Sequence, residues 1–407
     1  MRANVQPGAQ QDLKQYAVVT GNYWAFTLTD GALRMLIVLH FYQQGFSALA
    51  IASLFLLYEL FGVVTNLTGG WLGARIGLNR TMHIGLLLQV VALSLLLVPA
   101  EYLTVAWVML AQALSGIAKD LNKMSAKSSL KLLLPAEQQG QLFRWVALLT
   151  GSKNALKGVG FFLGGLLLSL AGFQGAVFSL AAMLVLVWLL SLLLLKRDLG
   201  KSSFKPKFRD LLSKSRSINQ LSAARLFLFG ARDVWFVIAL PLYLSTQFGW
   251  SHSAVGSFLA LWVIGYGAVQ ALAPKLLKHE QQAPDGSTAL FWAAILTGVP
   301  LWISVGMLSA PALDLWILLG GLLVFGVVFA INSSLHSYLI VSYARADGVS
   351  LDVGFYYMAN AMGRLLGTLL SGWIYQTYGL QPCLWVASLM ILLTTLMSIG
   401  LPKQQQR

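Results

Sequence analysis

Apolar runs of about 20 residues recur along this chain, twelve in all, with short loops between them. A helix of that length crosses the hydrocarbon core of a bilayer, because each residue adds 1.5 Å to a core about 30 Å thick. Twelve such spans take up roughly 240 positions, close to the 57% of the 407 residues that are hydrophobic, while only 10% are charged. One or two water-soluble cores need far fewer apolar residues. The chain is therefore predicted to be an all-α membrane protein. The spans lie near 17–41, 49–73, 81–99, 103–126, 144–170 and 174–195, then near 221–246, 253–274, 288–309, 313–341, 353–376 and 382–401. Met1 to Gln15 is polar and lacks the pattern of a removable signal peptide, so the first span is expected to be retained.

Lysines and arginines number 28 against 14 acids. In a soluble protein that excess would suggest nucleic acid, but its placement here points to a bilayer instead. Eight basic residues (Lys196, Arg197, Lys201, Lys205, Lys207, Arg209, Lys214, Arg216) crowd the stretch between the sixth and seventh spans. Arg75, Arg80, Lys131, Lys275, Lys278, Arg345 and Lys403 fall on the same side, and the alternate loops contain no Lys or Arg. Positive loops stay inside, which predicts a multi-pass protein of the inner membrane with both termini cytoplasmic.

The two halves echo each other. Asp30, Gly45-Phe46-Ser47 and Gly62 recur as Asp233, Gly249-Trp250-Ser251 and Gly265 at an offset of 203 to 204, and Gly160 with Gly164 recurs as Gly363 with Gly367 at 203. Duplicated halves are a common plan of secondary transporters, with the binding site near the midplane. The expected organisation is an N-terminal six-helix bundle (1–195), a basic cytoplasmic linker (196–220) and a C-terminal six-helix bundle (221–407).

Charge inside the spans carries the functional argument. The basic residues singled out there are Arg34, Lys119, Lys123, Lys153, Lys157, Arg232 and Arg364, and the acids are Asp30, Glu59, Asp120 and Asp233. A charge at the bilayer centre costs about 2.5 to 3.5 kcal/mol on insertion scales, so these residues are expected to face protein or a wet cavity. None lies on spans 3, 6, 9 or 12, which suits an outer, lipid-facing position for those four. A guanidinium fork matches two oxygens of an oxyanion such as phosphate, and the surplus of cations predicts an anion site.

For several residues a structural role competes with substrate binding. Asp30 and Arg34 are four apart and can neutralise each other on one helix face. Lys127 and Lys131 continue the stripe of Lys119 and Lys123 toward the helix end, where snorkelling is expected. Asn22, Asn154, Asn332 and Asn360 can bond a hydroxyl or carboxylate, or bridge helices. His336 can titrate during transport or sit as a hydrogen-bonded structural histidine.

The single cysteine, Cys383, excludes a disulfide framework and a thiolate metal site. The five histidines are scattered, and neither a paired-histidine metalloprotease motif nor a phosphate-cradling glycine loop is present. No cofactor, no metal and no enzymatic activity are expected. A membrane-embedded transferase or hydrolase would need a nucleophile with its base, which no motif supplies.

The segment Gly70-Trp71-Leu72-Gly73-Ala74-Arg75-Ile76-Gly77-Leu78-Asn79-Arg80 resembles the loop signature of the major facilitator superfamily, with Ala74 where that signature usually has an acid. Three longer stretches, Val19 to Arg34, Gly116 to Ser129 and Lys153 to Phe162, resemble the ArsJ family of organoarsenical exporters. That resemblance implies export of 1-arseno-3-phosphoglycerate, the ester formed when glyceraldehyde-3-phosphate dehydrogenase uses arsenate in place of phosphate. The dehydrogenase would be the functional partner and arsenate resistance the outcome. Substrate contacts are expected from Arg34, Lys119, Lys123, Lys153, Lys157, Arg232, Arg364, Asn22, Asn154 and Asn360. Asp30, Glu59, Asp120 and Asp233 are expected as proton carriers or charge partners. A facilitator for sugar phosphates or other organic anions would use the same cavity.

Overall fold

The computed structural model describes residues 7–46, 51, 54–133, 139–195, 199–203, 215–277 and 283–403. Among them there is no strand. Of the basic linker residues only Lys201 and Arg216 are described; the other six lie outside that set, as do Ser47 and Lys278.

Among the described residues each apolar run is largely helical. The first half comprises α1 (Pro7–Gln43), α2 (Leu56–Ile76), α3 (Leu78–Leu95), α4 (Val105–Leu133) and the stretch Gln139–Leu194. That stretch turns at Gly172, whose φ of 66° breaks the helical path and divides it into α5 (139–171) and α6 (173–194). A φ in this region suits glycine, which has no Cβ to clash.

The second half comprises α7 (Arg216–Phe236), α8 (Ala239–Phe248), α9 (His252–Leu276), α10 (Gly286–Ser309), α11 (Asp314–Tyr343), α12 (Val349–Tyr378) and α13 (Leu380–Ser398). The seventh span is thus two helices, interrupted at Val237 and Ile238. Pro241 explains the break, since its ring has no N–H to return to the Val237 carbonyl and clashes with it. The Ala239 amide, just after the break, donates to Ser371 Oγ at 3.2 Å.

Seven helical stretches are long and apolar enough to cross a membrane among the described residues. Of the long helices outside that set, α1, α4 and α12 carry charged residues in their interior, and α2 carries Glu59 in its first turn and Arg75 in its last. Large apolar side chains such as Phe178 and Leu193 of α6 and Phe291 and Trp302 of α10 are exposed, as the sixth and ninth spans require if they face lipid.

The chain forms two compact units. Unit 1 is Met1–Gln138, Ser152–Ser213 and Ala344–Phe355; unit 2 is Gln139–Gly151, Lys214–Tyr343 and Tyr356–Arg407. In unit 1, α4 packs against α1, α2 and α3. The start of α12 lies against α2, where Ser350 Oγ donates to the Gly70 carbonyl at 2.8 Å. In unit 2, α13 packs on α7 and α10, and α11 on α9 and α10, around a core of Trp235, Phe325, Phe329, Trp262 and Tyr266.

The repeated glycine pairs serve one purpose in each unit. A Cβ on Gly160 would lie 2.6 Å from the Leu28 carbonyl, and one on Gly164 would meet that of Ala32, so α5 and α1 touch backbone to backbone. In unit 2 a Cβ on Gly363 would meet the Leu226 carbonyl, and one on Gly367 would lie 2.5 Å from that of Gly230, joining α12 to α7. Small residues let membrane helices approach this closely. These contacts hold α1 to α5 and α7 to α12, the helices that carry most of the candidate anion-binding residues.

Candidate anion site

In unit 1 the charges of α1, α2 and α4 form a connected group. Tyr58 donates its phenol to Asp30 at 2.8 Å. Arg34 reaches Glu59 at 3.3 Å, Nη2 to Oε1, and lies over the rings of Phe55 and Tyr58 at 4.7 and 4.8 Å. Lys119 Nζ sits 3.8 Å from the centre of the Tyr58 ring, a distance at which the negative ring face attracts a cation. One tyrosine therefore gathers an acid, a guanidinium and an ammonium. Asp120 takes Lys123 at 2.5 Å and Lys119 at 3.8 Å. It approaches α2 at Gly62, where a Cβ would come within 3.0 Å of its Oδ2.

The local alternative of an Asp30–Arg34 pair gives way here to partners on another helix, Tyr58 and Glu59 of α2. On α5, Lys153, Asn154 and Lys157 are half-buried, and Lys157 Nζ lies 5.9 Å from the centre of the Phe161 ring. Lys127 is 3% exposed; it is buried within the unit and does not snorkel, because α4 is enclosed at that level by its neighbours. Asn22 bridges helices. It is buried, and its amide donates to Ser191 Oγ at 2.7 Å and approaches Met82 Sδ at 3.6 Å, tying α1 to α6 and α3.

In unit 2, Asp233 is fully buried and accepts from two arginines, Arg232 Nε at 2.6 Å and Arg364 Nε at 3.2 Å. Arg232 also lies 4.8 Å from the Phe229 ring. Asn332 is a bridging asparagine, donating to the Trp292 carbonyl at 2.9 Å. His336 departs from the hydrogen-bonded reading. It is completely buried, and neither ring nitrogen has a hydrogen-bond partner among the described residues.

One residue was passed over in the sequence. Arg225 lies within the seventh span, near its start, and the linker's run of basic residues drew attention away from it. It is 3% exposed, and its Nε donates to Asn360 Oδ1 at 2.8 Å. This bond accounts for Asn360, which holds a guanidinium. A count of every Lys and Arg against the span limits would have found it.

Each unit thus encloses more cationic side chains than carboxylates at mid-helix, and the arrangement suits binding of an oxyanion by charge and hydrogen bonds. Among the described residues there is no group of three side chains placed to hold a metal ion.

A family model described as Major Facilitator Superfamily matches residues 19–280. Among solved structures, the human organic anion transporter MFSD10 shares 16% identity, with 97% of this chain and 100% of that one covered and a TM-score of 0.72. A bacterial homologue of the iron transporter ferroportin in the outward-facing state shares 13%, covering 95% and 98%, with a TM-score of 0.73. The E. coli fucose:proton symporter shares 13%, covering 94% and 97%, with a TM-score of 0.68. At such identities the likeness establishes the fold. No curated protein matches the sequence.

Proposed function

The chain belongs to the major facilitator superfamily, a multi-pass membrane transporter rather than an enzyme, and from that premise we propose that it exports an organic oxyanion, 1-arseno-3-phosphoglycerate. The fold leaves the substrate open, since its solved neighbours are named for an organic anion, iron and a sugar. The observation that carries the reading is the buried cationic surplus in both units. Arg34, Lys119, Lys123, Lys153 and Lys157 accompany three carboxylates in unit 1, and Arg225, Arg232 and Arg364 accompany Asp233 in unit 2.

The proposed substrate carries an oxyanion at each end, and each unit taken by itself offers cations to such a group: Arg34 and Lys157 in unit 1, Arg232 and Arg364 in unit 2. Glu59 is the charge partner of Arg34, Asp120 of Lys119 and Lys123, and Asp233 of Arg232 and Arg364, while Asp30 accepts from Tyr58. Trivalent arsenic prefers thiolates, whereas a pentavalent arsenate ester is a hard oxyanion, and one cysteine suits the second. The resemblance to organoarsenical exporters names the molecule; the charge makes that class of molecule welcome. Residence in the inner membrane with both termini cytoplasmic follows from the one-sided basic loops.

The test is uptake by everted vesicles supplied with arsenate, glyceraldehyde 3-phosphate, NAD and glyceraldehyde-3-phosphate dehydrogenase, omitting each in turn. Arsenic accumulation is expected only with the full set. Competition by an unarsenylated sugar phosphate as strong as self-competition would favour the general organic-anion facilitator instead. An uncoupler added at zero membrane potential separates proton antiport, which it abolishes, from downhill efflux, which it leaves intact.

A further inference from the structure

Arg225 differs from the other buried arginines in the company it keeps. Arg34 has Glu59, and Arg232 and Arg364 have Asp233. Every partner of Arg225 among the described residues is neutral. Nε bonds Asn360 at 2.8 Å, and Nη1 reaches the Ser333 carbonyl and hydroxyl at a long 3.3 Å each. The guanidinium plane lies 3.8 Å from the Phe229 ring centre and 5.3 Å from that of Tyr356. Nη2 makes no hydrogen bond to the described residues.

A guanidinium so deeply buried without a counter-charge is costly, and neutral hydrogen bonds and ring faces offset only part of the cost. Its neighbours orient it and leave one nitrogen of the fork open. A guanidinium with Nη2 open has a donor that an oxyanion would complete.

We propose that Arg225, held by Asn360 and Ser333, forms an oxyanion-binding site in unit 2 separate from the Arg232–Asp233–Arg364 cluster. The separation is along the helices. Arg225 and Asn360 lie about 14 and 17 Å from the starts of α7 and α12, and Ser333 about 15 Å from the end of α11, whereas Arg232 and Arg364 lie about 22 to 24 Å from the starts of α7 and α12. The site takes a carboxylate or a phosphoryl group, and it deepens the proposed function, on which it rests, by giving a passing anion a second place to bind.

Calorimetric titration of the purified full-length protein in detergent with 3-phosphoglycerate tests this. Glycerol 3-phosphate and glycerate serve as the arms that tell phosphoryl from carboxylate recognition. Arg225→Gln is expected to weaken 3-phosphoglycerate binding at least about tenfold without lowering the apparent Tm of the unliganded protein. Asn360→Asp keeps the arginine but places a carboxylate where the amide oxygen now accepts from Nε. It is expected to raise the Tm and to suppress binding as strongly, because the site is then neutralised from within.

A residue that merely pins α7 to α11 and α12 predicts the reverse, a lower Tm in Arg225→Gln with affinity retained in both folded variants. Binding within twofold of the parent in both variants overturns the proposal and leaves the transport reading standing. Absence of saturable oxyanion binding in the parent protein overturns both.

Discussion

Arg364 of α12 reaches the carboxylate of Asp233 on α7, Nε to Oδ2 at 3.2 Å, while Arg232 holds the other oxygen at 2.6 Å. Two guanidiniums therefore share one acid whose own side chain is completely buried. Replacing Asp233 with Asn removes the carboxylate that both cations share. Breaking such a pair costs about 3 to 5 kcal/mol when both partners are buried, and the 36% exposure of Arg364 places this case near the lower end. Thermal unfolding of Asp233→Asn in detergent is expected to show that loss, and adding Arg364→Gln is expected to recover part of it.

The Arg34–Glu59 pair behaves differently. Its side chains are 25% and 34% exposed, so the contact contributes at most about 1 kcal/mol. Arg34→Gln is expected to fold normally yet export at least tenfold more slowly in everted vesicles. Arg34→Lys should be nearly as damaging, since the planar fork is lost while the charge remains. The double variant Arg34→Gln with Glu59→Gln is expected to stay inactive. Recovered export in it would make Arg34 a charge partner only.

Backbone contacts give a stability prediction independent of substrate. Gly160→Ala and Gly367→Ala push a Cβ into a carbonyl of the facing helix, and helices forced apart lose about 1 to 3 kcal/mol. Gly21→Ala meets nothing within 4 Å and should be neutral or slightly stabilising, because alanine favours the helix. Apparent Tm values of the three variants check the ordering.

Asp347, between α11 and α12, accepts from Ser203 through both backbone and side chain, at 3.0 and 2.5 Å, and from Ser202 Oγ at 2.8 Å. These bonds, those from the Ser203 and Ser202 hydroxyls foremost, hold its carboxyl below the usual carboxylate range. A depressed acid contributes its full stabilisation above its ordinary value and loses it as the pH falls through the lowered one. The fastening of Ser202 and Ser203 is therefore expected to be insensitive to pH between 6 and 8. Asp347→Asn should loosen it at neutral pH, seen as several-fold faster tryptic cleavage at the neighbouring Lys201.

Cys383 is buried and its thiol donates weakly to the Gly379 carbonyl at 3.5 Å. A serine can make the same bond, and the oxyanion chemistry has no thiolate step. Cys383→Ser is expected to keep export within twofold of the parent, while abolished export in a well-expressed variant would point to thiol chemistry.

The relation between the halves shows how far a linear pattern reaches. Matching residues by sequence offset sets Asp30 against Asp233 and Gly45 against Gly249, at 203 and 204. Both glycines end their helices at positive φ, 84° and 67°, so that end of the match corresponds in structure. The backbone contacts register α1 with α7 differently. Gly160 meets Leu28 as Gly363 meets Leu226, and Gly164 meets Ala32 as Gly367 meets Gly230, which sets Arg34 opposite Arg232 and Asp30 opposite Leu228. The extra residues of the second half lie after Arg232, where Val237 and Ile238 interrupt the helix before Pro241. An offset counted along the chain cannot tell where within a span a helix is broken.

Hydropathy, loop charge and the count of buried cations were legible in the chain because each is a local or additive property. Twelve apolar runs must become helices in lipid, since no water there can satisfy an open backbone, and their interior charges must turn toward protein. The partner of each charge was not legible. It depends on how each helix is rotated about its axis and how deeply it is set beside its neighbours. Only packing placed Arg34 beside Glu59 rather than leaving it to Asp30, tied Asn22 to Ser191, and left Arg225 with Asn360 and Ser333 but, among the described residues, no carboxylate.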